Sequence, residues 1–228
     1  MVESYTEFEW LTEGAANGKS GEKLAEKLVT LIRSFKDVIT VCDLGCGNGH
    51  LAKQLASHGY DVIGIDASTS GIEQANRNAP NVRFIRSLID KDVRESNGLE
   101  PFDLVVSSDV VEHLYRPSDL FEAAGMLLKT NGRLVITTPY HGYLKNLALA
   151  VSGSMDGHFS ALHDGGHIKF FSVATLSALM SSYAFVDLTF SYYGRAPWLW
   201  KNMICHARKG AVRQAVSPSR TPNRTTTG

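Results

Sequence analysis

The sequence predicts an α/β fold: a mostly parallel sheet of seven strands with helices on both faces and an antiparallel hairpin at its C-terminal end. Three observations lead there. Between residues 22 and 138, β-branched runs alternate with helix-period stretches, as in strands joined by crossover helices and buried on both faces. A glycine-rich loop, DLGCGNG at 43–49, joins the first such run to a helix. Near the end, two strand-like segments follow one another with only a short turn between them.

Residues 22–35 place Leu24, Leu28, Leu31, Ile32 and Phe35 on one face of a helix. VITVCDL (38–44) is a strand that runs into the glycine loop. Residues 50–58 form a helix that opens inside the loop and ends at Gly59. YDVIGID (60–66) is a strand, and 68–78 a helix with Ser68 as N-cap. VRFI (82–85) and FDLVVSS (102–108) are strands. A helix over 117–129 has Pro117 near its start and turns Leu120, Phe121, Ala124, Leu127 and Leu128 inward. GRLVITT (132–138) is a strand stopped by Pro139. The alternation breaks at 140–170, rich in Gly, His and Tyr, which reads as an insertion over the active face. A helix over 172–182 follows. The hairpin is FVDLTFSYY (185–193) and LWKNMICHAR (199–208), with Trp198 and Trp200 alternating along the last strand.

A chain of 228 residues suits one sizeable core. Formal net charge is zero, but residues 209–228 hold Lys209, Arg213, Arg220 and Arg224 and no acid, leaving the rest at −4. An acidic body is a poor partner for a phosphate backbone, so nucleic acid is not expected. The Ser-, Thr-, Pro- and Arg-rich tail predicts disorder. No apolar run approaches the roughly 18–20 residues that cross a bilayer. The N-terminus, MVESYTEFEW, is acidic and has no apolar signal-like core. Three cysteines, Cys42, Cys46 and Cys205, lack framework spacing and read as reduced thiols of a cytoplasmic protein.

In an open α/β sheet, ligands bind beyond the carboxyl ends of the strands, where Asp43, Gly45, Gly47 and Gly49 lie. A dinucleotide fingerprint would need glycine at position 50, which is His50, and no Gly-Lys-Ser/Thr follows for a nucleotide phosphate loop. Asp66, at the end of the next strand, is placed to accept both hydroxyls of a ribose. DLGCGNG followed by GIDAS resembles the cofactor motifs of class I S-adenosylmethionine-dependent methyltransferases, over roughly residues 38–182. SDVVEHL (108–114) and HIKFFS (167–172) are similar to segments of the ubiquinone-biosynthesis O-methyltransferases. The resemblance implies a Rossmann-like methyltransferase domain over 37–208, with the insertion at 140–170, an N-terminal helical cap over 1–36 and a basic tail over 209–228. It implies S-adenosylmethionine held by Asp43, Gly45, Cys46, Gly47, Gly49, Asp66, Ala67 and Ser108. That family often carries an acid where this chain has Leu88, so adenine is expected to meet backbone groups near 87–89.

Methyl transfer is an in-line displacement on an activated sulfonium, and alignment supplies much of its rate. A hydroxyl acceptor must also lose its proton, to a general base or with the help of a metal. His113 and His167 are the candidate bases. A sharper arrangement joins Asp109, Glu112, His113 and His167 around Mg²⁺ or Mn²⁺, since two carboxylates and histidine suit those ions. Similar acid-x-x-Glu-His motifs bind metal in small-RNA 2′-O-methyltransferases. Residues 143–155 hold an apolar cluster, read as a lid helix packing on the sheet; lining the acceptor pocket and peripheral membrane contact are its other readings. The expected function is O-methylation of a small-molecule hydroxyl. N- or C-methylation, RNA 2′-O-methylation and cofactor binding without catalysis are the alternatives. The acidic body counts against the RNA reading, and the intact loop with Asp66 and Glu112-His113 against the last.

Overall fold

In the computed structural model the described residues are Trp10, 18–159 and 166–210. The expected tail beyond Gly210 lies outside them. Seven strands form one sheet, β1 (Thr40–Leu44), β2 (Asp61–Asp66), β3 (Arg83–Arg86), β4 (Phe102–Ser108), β5 (Leu128–Pro139), β6 (Phe185–Tyr193) and β7 (Asn202–Lys209), in the order β3-β2-β1-β4-β5-β7-β6. The first five are parallel; β7 runs antiparallel to β5, and β6 antiparallel to β7. The expected hairpin is thus folded back, with its second strand against the parallel sheet and its first at the edge.

Helices cover both faces. On one, Leu24, Leu28 and Ile32 of α1 (Lys19–Ser34) and Leu51 and Leu55 of α2 (His50–Ser57) pack on Val41, Leu104, Val106 and Val135. α3 (Thr69–Asn78) flanks α2, with Ser68 accepting from the Gly71 amide as its cap. On the other face, α5 (Ser118–Leu127) and α8 (Val173–Ser182) send Leu120, Phe121, Leu127, Leu176 and Met180 onto Cys42, Leu44, Val105, Leu134 and Ile136. Successive strand residues point to opposite faces, so a central strand such as Leu104-Val105-Val106 must be apolar throughout.

The structure departs from expectation in four places. A short helix, α4 (Val93–Ser96), precedes β4; at four residues it is too short to show a period, and Val93 alone anchors it. α5 ends at Leu127 and β5 begins at Leu128, a position expected inside the helix over 117–129. Trp198 and Trp200 precede β7, and Trp200 stacks on Tyr192 at 3.9 Å between centroids with Tyr140 edge-on to both. In the insertion, α6 (Tyr143–Val151) and a short α7 (Met155–Phe159) do form, but α6 does not pack as a lid on the sheet. It exposes Tyr143, Leu144, Leu147 and Val151 and buries Lys145. Among the described residues, no helix is long and apolar enough to cross a membrane. The three cysteines are free and buried.

At the far end of the sheet from the glycine loop, one carboxylate joins three strands. Asp103 accepts the Ile39 and Thr40 amides at 3.0 and 2.9 Å, the Thr40 hydroxyl at 3.0 Å and the Lys129 ammonium at 2.7 Å. Burial works to raise its pKa, but the bond from Lys129 and those from Thr40 and Ile39 outweigh it and hold the carboxyl at about 2, below the usual 3.8. A depressed carboxylate stabilises the fold above its unfolded pKa and loses that contribution as pH falls through its folded one. Asp103→Ala should therefore lower the unfolding free energy by about 1–3 kcal/mol near neutral pH. In denaturant titrations the gap to wild type should close as pH falls from about 4 towards 2.

Candidate functional site

β1 and β4 are neighbours, yet the chain leaves β1 towards β2 and leaves β4 towards β5, on opposite sides. A crevice opens beyond their carboxyl ends. The glycine loop forms one wall. The Gly45 and Cys46 amides donate to the Ile65 carbonyl at 2.7 and 3.0 Å. Asp66 continues the link, accepting the Gly47 amide on one oxygen and the Ser68 amide on the other, both at 2.8 Å. Gly45, Gly47 and Gly49 have φ of 83°, 51° and 77°, the left-handed region that glycine enters without strain. A Cβ on Gly45 would strike Val110, in the loop after β4, so the two loops meet through the space that glycine leaves.

Sequence reasoning missed Trp10. Its ring covers Gly47 and Gly71, its amide donates to the Ser70 hydroxyl at 2.9 Å, and its carbonyl accepts from the Gln74 side chain at 2.5 Å. Trp10 shares its acidic stretch with Tyr5 and Phe8, and nothing local singles it out from them.

Of the residues expected around a cofactor, Asp43 and Cys46 have buried side chains. Asp43 is 2 % exposed and takes the Ala52 amide at the start of α2, so it shapes the loop from beneath. Burial, and then the charge of Asp66, raise its carboxyl to about 7. Ala67 lies at the mouth of a cavity of about 180 Å³ shared with Arg86, Ser87 and Leu88. Leu88 presents an apolar wall there, 59 % exposed, and the Ser87 amide is fixed on the Asp66 carbonyl at 2.9 Å.

The opposite wall follows β4. Ser108 shares a hydrogen bond with Thr137 at 3.1 Å. Asp109 has a left-handed backbone, φ 54°, and accepts from the Thr137 hydroxyl at 2.7 Å and the Asn202 amide group at 2.8 Å. Next comes a 3₁₀ turn, Val111–His113. The Glu112 carbonyl accepts the Ile168 and Lys169 amides at 2.9 and 3.0 Å, which brings the later segment alongside. The His113 and His167 rings then meet edge to face, 4.8 Å between centroids. The Glu112 carboxylate has no exposure, and neither oxygen meets a donor in good geometry among the described residues. Burial, and then Asp109, push its pKa well up. His167 is brought down to about 4 by burial and then by His113, His158 and Lys145.

One donor atom each from Glu112, His113 and His167 falls within 4.8 Å of the others. Asp109, expected as a fourth ligand, is not in that group: its Oδ1 is engaged by Thr137 and Asn202. Beyond Asp109 and His167 lies a second cavity of about 190 Å³, bounded by α1, α6 and the start of β7.

The raised carboxyl of Asp43 has a consequence for stability. A folded pKa of about 7 against the usual 3.8 means that the fold favours the protonated form. Stability from this group is full below the unfolded pKa and is lost as pH rises to the folded one. Asp43→Asn keeps an acceptor for Ala52 without the charge. It should melt above wild type at about pH 8 and show a smaller difference at about pH 5. A variant less stable at both values would mean that the ionised carboxylate has a partner the loop depends on.

The family model described as a methyltransferase domain matches residues 17–189. The chain is 34% identical over 116 residues to a ubiquinone biosynthesis O-methyltransferase of Bradyrhizobium diazoefficiens, covering 51% of this chain and 46% of that protein. It is 34% identical over 126 residues to a malonyl-[acyl-carrier protein] O-methyltransferase of Halalkalibacterium halodurans, with the same coverages, 51% and 46%. The match thus spans about half the length of these curated relatives. Among solved structures, magnesium protoporphyrin IX methyltransferase from Synechocystis PCC 6803, with bound SAH, superposes with a TM-score of 0.62 at 18% identity, over 87% of this chain and 90% of that one. A SAM-dependent methyltransferase from Archaeoglobus fulgidus gives 0.63 at 18%, over 82% and 94%. These two likenesses concern the fold. With three quarters of its length matched by the family model, the chain belongs to the methyltransferase domain family.

Proposed function

We propose that this chain binds S-adenosylmethionine in the switch-point crevice and transfers its methyl group to the hydroxyl of a small molecule. The observation that carries the reading is the Asp66 carboxylate, fastened between the Gly47 and Ser68 amides with the Leu88 cavity beside it. In this arrangement Asp66 accepts the ribose hydroxyls, the adenine lies against Leu88 and the backbone at 87–89, and the methionine part passes Gly45 and Gly47 towards Ser108. Asp43 and Cys46 act on the cofactor by shaping the loop. The domain spans 37–208; of the cap expected over 1–36, residues 1–9 and 11–17 lie outside the described residues, and Ser20, Gly21 and Leu24 of α1 border the second cavity. Two relatives with O-methyltransferase in their names support oxygen as the acceptor atom. The buried free thiols suit a reducing cytoplasm.

In the reaction the acceptor oxygen forms a bond to the methyl carbon as the carbon–sulfur bond breaks. This leaves S-adenosylhomocysteine and a proton from the hydroxyl. His113 and His167 are the proton acceptors proposed there; burial and its neighbours disfavour a charged His167, which favours His113 as the base. The side chains also fit a divalent cation, because the buried Glu112 carboxylate has no other partner in good geometry. Glu112, His113 and His167 would hold Mg²⁺ or Mn²⁺, whose charge lowers the pKa of the acceptor hydroxyl when bound. Asp109 positions the loop through Thr137 and Asn202 rather than binding the ion.

Two measurements check this. Asp66→Ala should weaken S-adenosylhomocysteine binding by about 1.5–3 kcal/mol in calorimetry; wild-type affinity would remove Asp66 from the site. EDTA should suppress methyl transfer without weakening S-adenosylhomocysteine binding, and Mg²⁺ or Mn²⁺ should restore it. His113→Ala and His167→Ala should then be strongly non-additive, as groups that act as a unit are. Full turnover after exhaustive chelation would leave a metal-free proton acceptor.

A further inference from the structure

The second cavity has a charge unlike that of the protein around it. Lys145 in its wall is 3 % exposed, on a helix that leaves Tyr143 94 % exposed. A helix that buries its lysine and exposes its leucines reverses the usual apolar arrangement, and lysine is rarely buried without a partner. The described partner of its ammonium is the Tyr140 carbonyl at 2.7 Å. Arg195 and Lys201 line the same cavity. Burial, and then these two charges, lower Lys145 to about 8, so it remains a cation at neutral pH. Among the described residues, no carboxylate pairs with Lys145, Arg195 or Lys201. The acid in the wall, Asp109, is already bonded to Thr137 and Asn202. His141, 7 % exposed and also in the wall, has an Nδ1 with no hydrogen-bond partner among the described residues.

Three cations and the His141 imidazole face one acid, Asp109, around the cavity, so among the described residues its lining carries an excess of positive charge, in a body that is otherwise acidic. Charged hydrogen bonds to an oxyanion would satisfy all of them. His167 and Asp109 border the cavity on the side where methyl transfer is placed, so a molecule held there presents its far end to His113 and His167. Resting on the methyltransferase reading, we infer that the acceptor carries a carboxylate or phosphate, seated among Lys145, Arg195, Lys201 and His141, with its reactive hydroxyl towards His167. At about 190 Å³ the cavity is smaller than the roughly 300–1,000 Å³ of a complete ligand pocket, which suits the charged end of the acceptor.

The test uses the full chain loaded with S-adenosylhomocysteine, titrated with benzoate, phenyl phosphate and, as an uncharged control of similar size, benzyl alcohol. Calorimetry should show at least one anion binding and the alcohol not binding. Lys145→Met and the surface variant Arg195→Gln should each weaken that anion by about tenfold. Both should keep wild-type affinity for S-adenosylhomocysteine. The tighter of the two anions identifies carboxylate or phosphate as the group recognised. If S-adenosylhomocysteine binds but neither anion binds better than the alcohol, or neither variant changes anion binding, the inference is overturned and the methyltransferase reading stands. Weaker binding of S-adenosylhomocysteine by both variants would overturn it differently: the cations would then hold the carboxylate of the cofactor itself. A wild-type chain that binds no S-adenosylhomocysteine overturns both readings together.

Discussion

Two backbone amides, those of Gly47 and Ser68, converge on the carboxylate of Asp66, and the geometry of the crevice depends on that convergence. The bond to Gly47 holds the glycine loop against the end of β2. The bond to Ser68 sets the first turn of α3, where the Ser68 hydroxyl caps the Gly71 amide. Because Gly45 has no Cβ, Val110 can approach it and the loop after β4 closes on the glycine loop. Sheet topology puts the carboxyl ends of β1 and β4 side by side; these contacts turn that adjacency into a two-walled crevice, which we propose takes a ribose on one wall and the chemistry on the other.

The second wall is built from groups that would be poorly placed in a purely structural core. Glu112 is a carboxylate without exposure or a well-placed donor, Asp109 has a left-handed backbone, and Lys145 is a buried ammonium. Burying a charge such as that of Lys145 costs several kcal/mol, burial pushes Glu112 towards its protonated form, and left-handed non-glycine backbone costs about 1–3 kcal/mol. Such features cluster where a ligand completes the arrangement. Here they cluster beside one another, at the carboxyl end of β4 and in the insertion after β5.

The parallel core was legible in the sequence because burial on both faces forces unbroken apolar runs such as Leu104-Val105-Val106, and because the turn glycines and Ser68 are local signals with a local cause. The glycine loop and Asp66 were legible for the same reason; Glu112, His113 and His167 were grouped, together with Asp109, from the Asp-x-x-Glu-His spacing and the resemblance, not from a local signal. What sequence left hidden was decided by tertiary contacts. Asp109 and Glu112 are three residues apart, yet Thr137 on β5 and Asn202 on β7 draw Asp109 aside. Trp10 reaches the loop through Ser70 and Gln74, partners far along the chain. The apolar residues of 143–155 suggested packing on the sheet, but the cavity draws in Lys145 and turns Leu144 and Leu147 to solvent. Periodicity tells that a helix has two faces; which one is buried depends on what it covers.

Asp66 organises the crevice, and a crystal structure of the chain with S-adenosylhomocysteine tests its role most directly. The ribose hydroxyls should lie within hydrogen-bond distance of the Asp66 carboxylate, about 2.5–3.0 Å. The adenine should rest against Leu88 and the sulfur should face His113. A ligand bound elsewhere, or one in the crevice whose ribose leaves Asp66 untouched, would contradict it.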